Sequence, residues 1–338
     1  MATVPRFYKN HIAEGKGILI FSIVLAIFLR IIFTIFSDTP DAVNLSGGYL
    51  WQYFQPFVQN SLYSFIGSSI LVALMAISVA HINTDFVLIR RRTLLPPAVI
   101  ILLFSCHPSF IWISPAYLGV LFMLLIISVL FDSYNEAAKA IIAFKVTFIL
   151  ALGSLFTPIL LIYIPLLWVA LMIMRCFNAK SLLASLLGLF IIYFPTFSFY
   201  LFVDKLDEFI TPIISSWNID ILKNLPALSL SAVVWSILIV MILLISLIIG
   251  DNYINRHKDK IRIRACLSLL SLITIVALLL SLFLNIAPGV NLYISIGVGS
   301  MLLSHYFALV ETKGIAILFY IYIAFYIAVC VLSFLTTF

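Results

Sequence analysis

Apolar residues recur along this chain in long runs separated by short polar breaks. Eleven runs stand out, at residues 17–37, 61–83, 94–110, 117–131, 140–156, 159–174, 181–203, 229–250, 265–285, 292–310 and 314–335. A helix rising about 1.5 Å per residue needs about 20 such residues to cross a hydrocarbon core of about 30 Å. The pattern therefore predicts an all-α fold, a polytopic transmembrane helical bundle of about eleven spans. It forms a single integral membrane domain over residues 1–338. Pro96, Pro97, Pro108, Pro115, Pro158 and Pro165 interrupt the stretch from 94 to 174. One piece there is a candidate re-entrant segment, since broken helices at membrane depth are tolerated only inside protein or beside a cavity. The fifth and sixth runs meet at the tight turn Thr157-Pro158. No internal repeat is evident, which weighs against an inverted-repeat transporter.

Composition supports the same class. The 338 residues are 64% hydrophobic and 9% charged, with a mean hydropathy of +1.24. A soluble domain is about 25% charged, so soluble, disordered, collagen-like and coiled-coil chains are all excluded. About 220 residues go into spans, which leaves no room for a separate domain of about 100 residues. The net charge of +6 does not point to nucleic acid, because the basic residues sit beside apolar spans. Cys106, Cys176, Cys266 and Cys330 are widely spaced with no CxxC, so neither a disulfide framework nor a zinc site is signalled. The N-terminus precedes a long span without a small-residue cleavage site, as a retained helix would.

Charge placement sets an orientation. With the N-terminus inside, the inner segments hold Arg6, Lys9, Lys16, Arg90–Arg92, Lys139, Lys145, Arg175, Lys180 and Lys313. They also hold Arg256, Lys258, Lys260, Arg262 and Arg264, so 16 of the 19 basic residues lie inside. Only Lys205 and Lys223 fall in outer loops, and Arg30 lies within the first span. Asp38, Asp41, Asp204, Asp207, Glu208 and Asp220 all fall outside. This bias predicts a cytoplasmic N-terminus and an outer C-terminus. The inner basic runs are also candidates for anionic-lipid contact.

Few residues remain for chemistry. The first outer loop opens with Asp38 and Asp41, lacks Lys and Arg, and continues with Gly47-Gly48, Tyr49, Trp51, Tyr53 and Phe54. Carboxylates at a membrane–water boundary suit a general base or a site for a divalent cation; a polar helix end with an interfacial aromatic belt has the same pattern. Arg30, Thr34 and Asp38 share one helix face. An intramembrane Arg is expensive unless it is paired or faces water, so Arg30 is a candidate for a lipid phosphate or for a structural pair. Asp204, Asp207, Glu208 and Asp220 fit either a second wall of an outer site or an ordinary solvated loop, and His107 before Pro108 fits either substrate contact or a helix break with interfacial aromatics. His11, His81, His257 and His305 map inward without metal-ligand spacing. No P-loop, GxGxxG or GxSxG motif occurs.

Two stretches resemble the polyprenyl-phosphate-sugar-dependent glycosyltransferases of the GT-C superfamily. Leu29-Arg30 lies in the first span and precedes the acidic Ser37-Asp38-Thr39-Pro40-Asp41, where the family often ends that span with a Leu-Arg pair. RRRTLLPPAVIILLFSCHPSFIWISPAY and FILALGSLFTPILLIYIPLLWVALMI follow, with basic inner turns and prolines at the outer edge. The resemblance covers residues 17–175 and leaves 181–336 as a second helical half. It implies a multi-pass protein of the cytoplasmic (inner) membrane that transfers sugar from a polyprenyl-phosphate carrier to an acceptor at the outer face. Asp38 or Asp41 would act as base or cation ligand, and a lipid donor would need no nucleotide motif. Here two residues separate the acids, where the family usually has adjacent acids or Glu-x-Asp, and no C-terminal soluble domain follows. The chain also resembles a bacterial family of integral membrane proteins with no assigned function. A transporter or lipid flippase and a non-catalytic scaffold subunit stay open as alternatives, as does the oligomeric state.

Overall fold

The computed structural model describes residues 7–36, 47–217, 232–254, 260–283, 289–309 and 313–337. Every regular element among them is a helix. In order these are α1 (Gly17–Phe36), α2 (Trp51–Val58), α3 (Ser61–Phe86), α4 (Leu95–Leu103), α5 (Pro115–Asp132), α6 (Lys139–Phe156) and α7 (Ile164–Ile173). They continue with α8 (Ala179–Phe202), α9 (Leu206–Trp217), α10 (Ala232–Ile254), α11 (Ile261–Phe283), α12 (Val290–Ala308) and α13 (Lys313–Thr337). A π-helical turn, Tyr8–Ala13, precedes them, and short 3₁₀ turns occupy Pro108–Phe110 and Pro158–Tyr163.

Seven of these helices are long and apolar enough to cross a membrane: α1, α3, α5, α6, α8, α11 and α13. Their outward faces bear the signature of lipid contact. On α1 only Ser22, Ala26, Arg30 and Phe33 are buried, while Ile20, Phe21, Val24, Ile27 and Phe28 are exposed. A soluble protein does not present a continuous apolar face of that size to water. The chain is a helical membrane protein. Pro158–Ile173 and Trp235–Asp251 are apolar but shorter.

Helix α12 is the axis of the bundle. All of its residues except Tyr306 are buried, and it packs on α4, α5, α10, α11 and α13. Ser295, Ser300 and Ser304 hydrogen-bond carbonyls of their own helix, so these hydroxyls are satisfied without water. The most extensive helix pair is α6 with α8. Gly188 makes that approach possible, because a Cβ there would lie 2.5 Å from Thr147 Oγ1 and 2.9 Å from the Phe144 carbonyl.

The proline-rich stretch departs from the full span expected over 94–110. Helix α4 has nine residues, about 14 Å of rise, and does not cross alone. Residues 104–114 then run without α-helix. Residues preceding proline avoid the helical region, and both His107 (φ −140°, ψ 143°) and Ser114 (φ −139°, ψ 160°) are extended. The backbone groups freed by such breaks need partners, and distant side chains supply them. At the end of α4 Tyr326 donates to the Leu102 carbonyl at 3.0 Å, and the C-terminal carbonyls of α12 and α5 are met likewise, Phe307 by Tyr8 at 2.8 Å and Phe131 by Arg262 at 2.8 Å.

Candidate functional site

The candidate residues that the structure describes gather at one end of the bundle, where α1 finishes and α3 starts. We call it the first-loop end, and its opposite the basic end. Arg30 lies six residues before Phe36, about 9 Å below the end of α1. It is the one buried Lys or Arg among the described residues. Its guanidinium forks: Nη1 donates to Ser69 Oγ, and Nη2 donates to the Phe110 carbonyl at 2.7 Å. Its Nε–H has no hydrogen-bond partner. Thr34 turns away and donates to the Arg30 carbonyl.

Arg30 is one of several side chains that solve the non-helical segment 104–114. Tyr117 also donates to the Phe110 carbonyl, and Tyr293 donates to that of Ser109 at 2.9 Å. Ser68 donates to Ile111, and Ser64 accepts from the Ile113 N–H at 2.9 Å. Helices α1, α3, α5 and α12 thus each place a polar group where the backbone lacks a helical partner. Tyr293, Ser64, Ser68 and Ser69 were not singled out from sequence. The available signal was the i, i+4 spacing of Ser64 and Ser68 on one face of a largely apolar helix.

The described end of the first loop, residues 47–50, is docked on α6. Gly48 N–H donates to the Phe156 carbonyl at 2.7 Å and Leu50 N–H to the Leu155 carbonyl at 3.0 Å. These are the last carbonyls of α6, just before the Thr157-Pro158 break. Thr157 Oγ1 in turn donates to the Pro115 carbonyl at 3.0 Å, tying that break to the start of α5. Tyr49 and Trp51 are buried, at 2% exposure each, and do not join the exposed belt formed by Tyr53, Phe54 and Phe57. The Tyr49 hydroxyl donates to the Phe209 carbonyl at 2.6 Å, and its ring stacks on Phe209 with centroids 5.3 Å apart. Phe209 also meets Tyr193, Phe197 and Tyr200. Burial pushes the Tyr49 hydroxyl well above its ordinary range, so it remains a hydrogen-bond donor.

Residues 47–50 thus lie beside helix α9, which carries Asp207 and Glu208 in its first turn. Tyr49 is the link, through helix α9. The acids themselves point outward: Asp204, Asp207 and Glu208 are exposed, and Glu208 pairs with Lys205 at 2.8 Å. Asp38, Asp41 and Asp220 lie outside the described residues. So does the divalent-cation site suggested for Asp38 and Asp41. Among the described residues no three His, Cys, Asp or Glu side chains converge as a metal-binding group.

His107 sits at the turn itself. Its Nδ1 accepts from the Ser109 N–H at 3.1 Å, and burial pushes its pKa down from 6.5 to about 4. The unfolded chain therefore takes up this proton first as pH falls. Stability from the neutral imidazole is complete above pH 6.5 and is lost between 6.5 and about 4. Unfolding midpoints of the wild type are expected to fall through that window relative to His107→Asn, whose amide oxygen caps the same turn without titrating. Parallel pH profiles for the two proteins would refute this.

No protein-family model matches the chain, and neither does any curated protein or solved structure.

Proposed function

We propose that the chain is a membrane-embedded glycosyltransferase that moves sugar from a polyprenyl-phosphate carrier to an acceptor. In this reading it works at the first-loop end, and that end faces outward from the cytoplasmic membrane. The Lys/Arg bias supports the orientation. The reading rests chiefly on one observation, the docking of Gly48 and Leu50 onto the last carbonyls of α6. That docking anchors one end of the stretch carrying Asp38 and Asp41, and α1 anchors the other. Asp38 and Asp41 lie between these two anchored ends in sequence, and a carboxylate at a membrane boundary suits proton abstraction.

The chemistry is a displacement at the anomeric carbon. Asp38 or Asp41 takes the proton of an acceptor hydroxyl, whose oxygen forms the new glycosidic bond. The bond to the carrier oxygen breaks, and polyprenyl phosphate leaves with the electron pair. Arg30 supplies a fixed positive charge of the sign that departing phosphate needs. Helix α12 fills the bundle axis, which favours a site at one end over a path through the middle.

The test uses membranes containing the full chain and a panel of labelled polyprenyl-phosphate sugars. Asp38→Asn or Asp41→Asn is expected to lower label transfer by about 100-fold or more. Full transfer by both variants would overturn the proposal.

A further inference from the structure

A second candidate site lies at the basic end and is independent of sugar transfer. We propose that the seam between the α3–α4 turn and the first turns of α11 binds the phosphate headgroup of an anionic phospholipid.

The turn after α3 is held in a fixed shape. Val87 takes a left-handed conformation (φ 46°), strained for a β-branched residue, and the Asn83 side chain accepts from the Ile89 N–H at 3.2 Å. Asn83, Leu88 and Ile89 line one crevice with Leu267, Leu270 and His305, so the turn abuts α11 and the end of α12. Arg90, Arg91 and Arg92 follow Ile89 directly, and Lys260, Arg262 and Arg264 lie within two turns before Leu267. Two basic segments distant in sequence therefore flank one seam.

The charges there are positioned and only partly neutralised. Arg262 is fixed by the Phe131 carbonyl and lies 5.5 Å over the Phe86 ring. Arg264 is half-buried, and its Nε–H is dry and has no hydrogen-bond partner. Two acids at this end are paired, Glu14 with Arg91 at 4.0 Å and Asp85 with His81 at 3.0 Å, while Asp132 follows the Phe131 that holds Arg262. Among the described residues no ion pair neutralises Arg92, Lys260 or Arg264. Such a cluster calls for an anion. The rim favours a lipid over free phosphate, because Val87 and Ile261 stand exposed beside it, at 56% and 61%.

The experiment follows unfolding midpoints of the purified full chain in neutral detergent. Phosphatidylglycerol, phosphatidylcholine of the same acyl chains, and inorganic phosphate are titrated separately. Phosphatidylglycerol alone is expected to raise the midpoint to a plateau. Arg264→Gln, and separately Arg92→Gln with Lys260→Gln, are expected to weaken its apparent affinity about fivefold per charge removed. Because Arg92 and Lys260 are exposed, their double variant carries the test if Arg264→Gln does not fold. An equal rise with phosphatidylcholine overturns the proposal as non-specific lipid contact. An equal rise with inorganic phosphate overturns the lipid assignment. Unchanged affinity in the double variant overturns the site.

Discussion

Gly48→Ala is expected to undock the first loop, destabilise the protein and abolish sugar transfer. A Cβ at Gly48 would lie 2.3 Å from the Leu155 carbonyl oxygen and 2.8 Å from its carbon. Those are backbone atoms of a helix end and cannot rotate aside. Pro158 Cδ, at 3.1 Å, closes the other escape. The loop must therefore lift, and the hydrogen bonds of Gly48 and Leu50 to α6 break. Two carbonyls next to a proline break then lose partners, at a cost of about 2–4 kcal/mol. Tyr49 leaves its slot against Phe209 as well. A displacement of about 1 Å suffices to lower a positioned reaction about 100-fold, so transfer falls even in protein that stays folded. Unfolding midpoints in detergent and label transfer measure the two effects. Gly17→Ala is the control, since nothing lies within 4 Å of its added Cβ. A Gly48→Ala protein with the wild-type midpoint and rate would show that the docking is not needed.

Long lipid-facing helices were the most legible part of this chain, because the bilayer dictates their composition. The run at 181–203 is α8, Ala179–Phe202, and the run at 17–37 is α1, Gly17–Phe36. Hydropathy failed where irregular backbone is as apolar as helix. Residues 104–110 lie in the same apolar run as α4, and only the prolines marked the break. Helix α9 was missed for the opposite reason. Its Phe209, Ile210, Ile213 and Ile214 alternate with Asp207, Glu208, Thr211 and Pro212, too polar and too short for a span. Arg30 was legible as a lone charge in an apolar helix. Its partners were not, because Ser69 and Phe110 lie 39 and 80 residues away and one contributes only a carbonyl. Tyr293 gives no sequence signal at all, since tyrosine is ordinary in a buried helix. The acids at 204–208 looked like a wall because they cluster in sequence. The link to the first loop is instead an aromatic ring and a backbone carbonyl.

Arg30→Met and Tyr117→Phe are each expected to be mild, and their combination severe. The Phe110 carbonyl accepts from both side chains. Removing Arg30 leaves it with Tyr117, and Ser69 keeps its own bond to the Phe65 carbonyl at 2.8 Å. The same change deletes a dry guanidinium whose Nε–H has no partner, and that offsets the lost hydrogen bonds. Arg30→Met should therefore alter stability by no more than about 1 kcal/mol. Tyr117→Phe should cost about 1 kcal/mol, because Arg30 still covers the carbonyl. Together they leave a buried carbonyl with no donor, and the double variant should lose about 1–3 kcal/mol beyond the sum of the two. Denaturant unfolding of the four proteins gives that coupling directly, and strict additivity would refute shared capping. The same single variant separates the two roles open to Arg30. If the carbonyl has a second donor, stability alone gives little reason to keep a charge in an apolar helix. A cation that stabilises a leaving phosphate does give one, and Arg30→Met is then folded but slower in transfer by about 100-fold. A variant that instead loses its fold while Tyr117 is intact would make Arg30 a structural clamp and leave the phosphate without its cation.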